Sequence, residues 1–86
     1  MTTAKIDPQL KQTMQAQPNA EFMLLLRVDQ IEASHQQVLA ARSVTIRHSL
    51  TLVPTLAVTC TGAAGLGLLE LPWIRHVEED RPVYAL

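Results

Sequence analysis

The chain has 86 residues, 48% of them apolar, and a formal net charge of −1. That length limits it to one packed core, and with Phe22, Trp73 and Tyr84 as its only aromatics the core has to be built from Leu, Val, Ile and Ala. The seven Lys and Arg residues are scattered, which gives no basic stripe to displace counterions from phosphates and excludes nucleic acid as a partner, and Cys60, standing alone, excludes an internal disulfide.

Residues 1–20 read as a polar, mobile N-terminal extension. Asp7-Pro8 is an N-cap and first-turn pair, and Leu10 and Met14 fall four apart, so a short helix over 8–15 is allowed. Gln9, Gln12, Gln15 and Gln17, followed by Pro18-Asn19, leave that helix little to bury. The segment lacks the apolar stretch of a secretory leader, so a cytoplasmic location is expected. From Glu21 to Val28 the sequence is nearly continuously apolar, the pattern of a central strand contacted on both faces. Asp29 is placed to cap a helix over 30–41 whose apolar stripe is Ile31, Val38 and Leu39.

Val44, Ile46, His48 and Leu50 then alternate with Thr45, Arg47, Ser49 and Thr51, which predicts a second strand with the first set facing the core. By that parity His48 is half-buried and hydrogen-bonded. Alternation resumes with Leu56, Val58 and Cys60 against Ala57, Thr59 and Thr61, giving a hairpin partner in which Cys60 is a buried structural thiol. A second helix over 63–71 has Ala64, Leu68 and Leu71 on one side and stops before Pro72. Gly65 and Gly67 each cost it about 1 kcal/mol relative to alanine, so packing has to hold it. Residues 73–79 form a fourth strand, and Ile74 and Val77, three apart, predict a bulge there. The uncharged stretch 50–69 is long enough to span a bilayer. Its Pro54, four threonines and three glycines, with the Leu-Thr alternation, read instead as strands, so no membrane partner is expected.

The order β-α-β-β-α-β predicts an α+β, ferredoxin-like domain: a four-stranded antiparallel sheet with two helices on one face. Phe22, Leu24, Leu26 and Val28 would face the helices. Met23 and Leu25, joined by Ala57, would lie on the open face, where they make more apolar surface than a solvated sheet requires and mark a docking surface.

Catalytic chemistry finds no foothold. Gly62, Gly65 and Gly67 match neither a dinucleotide fingerprint nor a phosphate loop. His35, His48 and His76 lack the spacing of metal ligands, and Ser34, Ser43 and Ser49 lack a nucleophile turn. The sequence therefore predicts no catalytic residue, metal or cofactor, and a protein that is not an enzyme.

The remaining stretch, 77–86, holds three successive carboxylates, Glu78, Glu79 and Asp80, which by charge alone form a solvated edge. Arg81 and Pro82 follow, and then Val83, Tyr84, Ala85 and Leu86, uncharged and too far past the fourth strand to serve its core. From about Glu21 to Leu86 the chain resembles the propeptides of subtilisin-like serine proteases and the stand-alone inhibitors that share their fold. The resemblance is carried by the element order, by 52–58 (Leu-Val-Pro-Thr-Leu-Ala-Val) in the hairpin, by Leu71-Pro72-Trp73-Ile74, and by Val77-Glu78-Glu79-Asp80 with six residues after it.

The resemblance implies that the open sheet face lies on two parallel surface helices of the protease, with Glu78 and Asp80 capping their N-termini while Glu79 points away. It also implies that the tail, 81–86, enters the cleft like a substrate, with Leu86 just before the scissile position and Val83 three residues further back. Carboxylates are natural ligands of helix N-termini, and an extended tail can add as a strand to cleft edges. With no protease domain following, the expected function is a stand-alone inhibitor, or a folding chaperone, of a separate subtilisin-like serine protease. The alternative is a small protein-protein interaction or oligomerisation module that uses the open face and has no protease partner. The oligomeric state is left open.

Overall fold

The computed structural model describes residues 5–80. In chain order these form α1 (Pro8–Ala16), β1 (Glu21–Val28), α2 (Ala33–Ala41), β2 (Thr45–Leu50), β3 (Thr55–Thr61), α3 (Gly62–Gly67), a 3₁₀ turn (Leu68–Glu70) and β4 (Ile74–Glu79). The architecture is α+β: one open four-stranded sheet in the order β2-β3-β1-β4, antiparallel at every pair. The apolar run of β1 is central, as its lack of alternation requires, and it pairs with β3 on one side and β4 on the other.

Phe22, Leu24, Leu26 and Val28 of β1, Leu56, Val58 and Cys60 of β3, and Ile74 and Val77 of β4 are all buried in one cluster with the helices. In β4 the expected irregularity is present. Leu26 pairs with Val77 and Arg27 with His76, but Val28 pairs with Ile74, so Arg75 is passed over and both Ile74 and Val77 reach the core. A second bulge, not foreseen, lies in β2, where Ile46 pairs with Val58 and His48 with Ala57, leaving Arg47 as the extra residue. One inserted residue reverses a period of two. His48 is consequently exposed instead of half-buried, and Leu50 moves to the open face with 50% of its surface exposed.

The helices depart from expectation at the N-terminal end. The segment expected to have little to bury packs from Ile6 onward: Ile6, Leu10 and Met14 belong to the core, with exposures of 5%, 7% and 0%. Three helices therefore stand where two were expected, α1 lying against α3. Lys5 and Ile6 run beside β4, with a parallel bridge from Ile6 to Val77 and a hydrogen bond from the Val77 N–H to the Lys5 carbonyl. The Lys5 ammonium donates to the carbonyls of Leu69 and Leu71, satisfying the C-terminal end of the 3₁₀ turn, and burial draws its pKa below the usual lysine value.

α2 starts at Ala33, three residues after the expected position, because Asp29 stays with the sheet: its N–H donates to the Trp73 carbonyl, and its carboxylate accepts from the Gln30 N–H. His35 stacks on Trp73 at 4.0 Å and 3°, fastening the start of α2 over the entry to β4. The helix ends in a Schellman closure, Val44 N–H to Leu39 carbonyl and Ser43 N–H to Ala40 carbonyl, with Ser43 at φ 63 where glycine is usual. α3 is capped by Thr61, whose hydroxyl accepts from the Ala64 N–H, and the helical stretch stops before Pro72 as expected. Among the described residues no helix is long and apolar enough to cross a membrane.

Candidate functional site

The helices cover one face of the sheet, and strand register orders the other into three rows. Thr45, Thr59 and Met23 form the first, which Asp80 extends by donating its N–H to the Met23 carbonyl at 2.8 Å. His48, Ala57, Leu25 and Glu78 form the second, and Leu50, Thr55, Arg27 and His76 the third. Glu78 and Asp80 thus belong to the open face, two residues apart on one extended strand, whereas Glu79 pairs with Leu24 and belongs to the covered face.

Of the three apolar residues expected to dock, Met23 is 48% exposed and Leu25 is half-buried. Ala57 is corrected: it has no exposed surface at all. A one-carbon side chain on a central strand, flanked in its row by His48 and Leu25, lies below the height of its neighbours. It forms floor and cannot touch a partner.

The same face carries Arg47, which the β2 bulge releases from the alternation. Its guanidinium donates from Nη2 to Asp80 Oδ2 at 2.8 Å and to the Val58 carbonyl at 3.2 Å. Since β2 and β4 are the outer strands of the sheet, this side chain has to lie across β3 and β1 to reach Asp80. The pair is substantially desolvated, with side chains 24% and 28% exposed, and the Arg47 Nε is buried without a hydrogen-bond partner. Glu78 is held more loosely, its carboxylate 3.9 Å from Arg27 with both side chains about half exposed.

Residues that sequence reasoning did not assign complete the surface at the hairpin end. Leu50 is 50% exposed, Leu52 100% and Val53 57%. With Leu25 they wall a groove of about 390 Å³ rimmed by Arg27 and Glu78. The run Leu50, Leu52 and Val53 ahead of Pro54 was visible as an apolar loop, but the parity of an unbulged strand assigned Leu50 to the core.

Pro82, Val83, Tyr84, Ala85 and Leu86, the tail residues expected to meet a protease, lie outside the described residues. Among the described residues no group of three His, Cys, Asp or Glu side chains comes together to hold a metal ion. Gly62 and Gly65 are packing positions: a methyl group at Gly62 would stand 2.7 Å from the Met14 and Gln17 carbonyl oxygens, and one at Gly65 would stand 3.2 Å from Leu24. Cys60 is buried, which raises its thiol pKa to about 11 and keeps it in the unreactive protonated form. No family model, curated protein or solved structure matches the chain.

Proposed function

We propose that this chain is a stand-alone inhibitor of a subtilisin-like serine protease, one that docks through the open sheet face and places residues 81–86 in the active-site cleft. The observation that carries this reading is the joint placement of Glu78 and Asp80 on the face that holds the apolar groove, at the end of the strand from which the tail departs. Two carboxylates on one side of an extended chain suit two helix N-termini, and the apolar side chains between rows supply the buried area that any stable contact needs. A ferredoxin-like assignment belongs to the same proposal. The order β2-β3-β1-β4, antiparallel throughout, is what two β-α-β units joined by a hairpin generate, with α1 as an addition at the N-terminus. In this reading Arg47 fixes the rotamer of Asp80 before contact, Met23 and Leu25 meet the protease surface, and Ala57 serves as floor. No residue of the chain has a catalytic role.

The test is a titration of the intact chain, and of a chain lacking 83–86, against a broad-specificity subtilisin-like protease with a small chromogenic substrate. The intact chain should inhibit reversibly and competitively, and the truncated chain should remain folded by circular dichroism and fail to compete. An intact chain that has no effect, or is simply digested, rejects the proposal; equal inhibition by both removes the tail from it.

A further inference from the structure

α1 precedes β1 and, unlike α2 and α3, connects no two strands of the sheet. Its nine residues bury only Leu10 and Met14, and its start has no side-chain cap. A helix of this length does not persist alone in water. What fixes it is α3, packed against it, and the outer edge of β4, where Lys5 and Ile6 make a single bridge to Val77. The three strand pairs are formed by β1, β2, β3 and β4 alone.

α3 is shaped to receive this segment. The methyl group of an alanine at Gly62 would meet two backbone carbonyls of the α1 end, which can yield only by moving α1 itself. An added methyl at Gly65 would overlap the side-chain methyl of Met14. Neither glycine has a positive φ, so close approach and not backbone conformation selects glycine at both. Under the same junction, 3.4 Å from the methyl position at Gly65, lies the Cys60 thiol, with the residue only 4% exposed.

From these contacts we infer that residues 5–17 are a strap that opens as a unit from α3 and from the edge of β4 while the sheet stays folded, and whose closure holds β4, with Glu78 and Asp80, in place. Opening frees the Val77 N–H from the Lys5 carbonyl, withdraws the Lys5 ammonium from Leu69 and Leu71, and lifts the Met14 side chain from Gly65, the position without a side chain next to the Cys60 thiol. The strap itself does not depend on the protease reading; its effect on inhibition rests on that reading.

The test uses the full chain, intact and as Gly62→Ala, followed by labelling of Cys60 with a neutral disulfide reagent and by amide hydrogen exchange over a urea series. Cys60 labelling and Val77 N–H exchange should share one opening, with a urea dependence less than about half that of global unfolding, ahead of the amides of the β1–β3 ladder. Gly62→Ala, which helix propensity alone would make neutral or stabilising, should speed both by about tenfold or more. If both processes follow global unfolding with its full urea slope in both chains, residues 5–17 are not a separate unit and the inference fails. A protease arm keeps the two ideas apart. Weaker inhibition by Gly62→Ala at unchanged sheet protection supports the hold on β4, and equal inhibition overturns it. No inhibition by the intact chain rejects the docking reading while the labelling result stands.

Discussion

On the covered face of the sheet Leu24, Leu26, Leu56, Val58 and Val77 have no exposed surface, whereas on the open face Met23 and Leu50 keep 48% and 50% of theirs. The same four strands build both faces, so the difference comes from what lies over them. Helices remove water from the first, and β1 and β3 contribute alternate apolar residues to it, joined by Ile74 and Val77 of the bulged β4. The second is crossed by one long ion pair, Arg47–Asp80, and flanked by a looser one, Arg27–Glu78. An apolar surface whose charges are already paired among themselves presents little net charge to a partner. Selectivity on such a face has to come from shape and from groups able to exchange one ligand for another, as a carboxylate can between a guanidinium and a helix end.

Stability should separate the two faces most clearly. Leu26→Ala removes a fully buried side chain and should cost about 2 to 5 kcal/mol. Met23→Ala, on the same strand and the opposite face, should cost less than about 1 kcal/mol, because half of its surface is already in water. Urea denaturation of both variants at one pH measures the gap. Equal costs would mean that Met23 is covered in solution and that the open face has found an occupant.

Within the open face the two acidic residues should differ in the same experiment. Asp80→Ala leaves Arg47 across the sheet without its carboxylate and with Nε already unpartnered, so a loss of about 1 to 3 kcal/mol is expected. Glu78→Ala breaks only the 3.9 Å contact with Arg27 and should cost under about 0.5 kcal/mol. A double-mutant cycle with Arg47→Met isolates the pair. A coupling near zero would show that the guanidinium and Asp80 do not hold each other in solution. The cycle also matters for inhibition, since any loss on changing Asp80 has to be corrected for its loss of stability before it is assigned to the docked partner.

The sequence pattern located all four strands and the β4 bulge, because β1 is a nearly continuous apolar run, β3 alternates, and Ile74 and Val77 break the period where both are needed inside. Three features escaped it for separate physical reasons. The β2 bulge has no signature in Ile46-Arg47-His48, since either residue after Ile46 can be the extra one, and everything downstream in β2 was consequently assigned to the wrong face. The packing of α1 depends on glycines more than forty residues away in sequence, Gly62 and Gly65, which looked like a weakness of α3 until α1 was placed against them. Ser43 closes α2 at a position where the usual glycine signal is missing. That Glu78 and Asp80 share one face was legible from their two-residue spacing, whereas their role as helix caps was implied only by the resemblance. The groove beside them was not legible, since it is formed by Leu50 and by a hairpin loop whose direction follows from the bulge.

The smallest effect on stability is expected at the tip of that hairpin. Leu52 is 100% exposed, so Leu52→Ser removes no buried area and should change the unfolding free energy by less than about 0.5 kcal/mol. An apolar side chain held wholly in water gains nothing for the free chain, but beside Leu50 and Val53 it lengthens the wall of the groove toward any partner that covers Leu25. If the hairpin end takes part in docking, the same substitution should weaken inhibition by about 0.5 to 2 kcal/mol, the range for burying a leucine only in part at an interface rim. The comparison needs both numbers from one preparation: a urea midpoint that stays put and an inhibition constant that moves. A midpoint that falls by as much as the binding does would show that Leu52 is already packed in the free protein. An inhibition constant that stays fixed with the midpoint would confine docking to the rows of Met23, Leu25 and Glu78 and leave the hairpin tip in solvent.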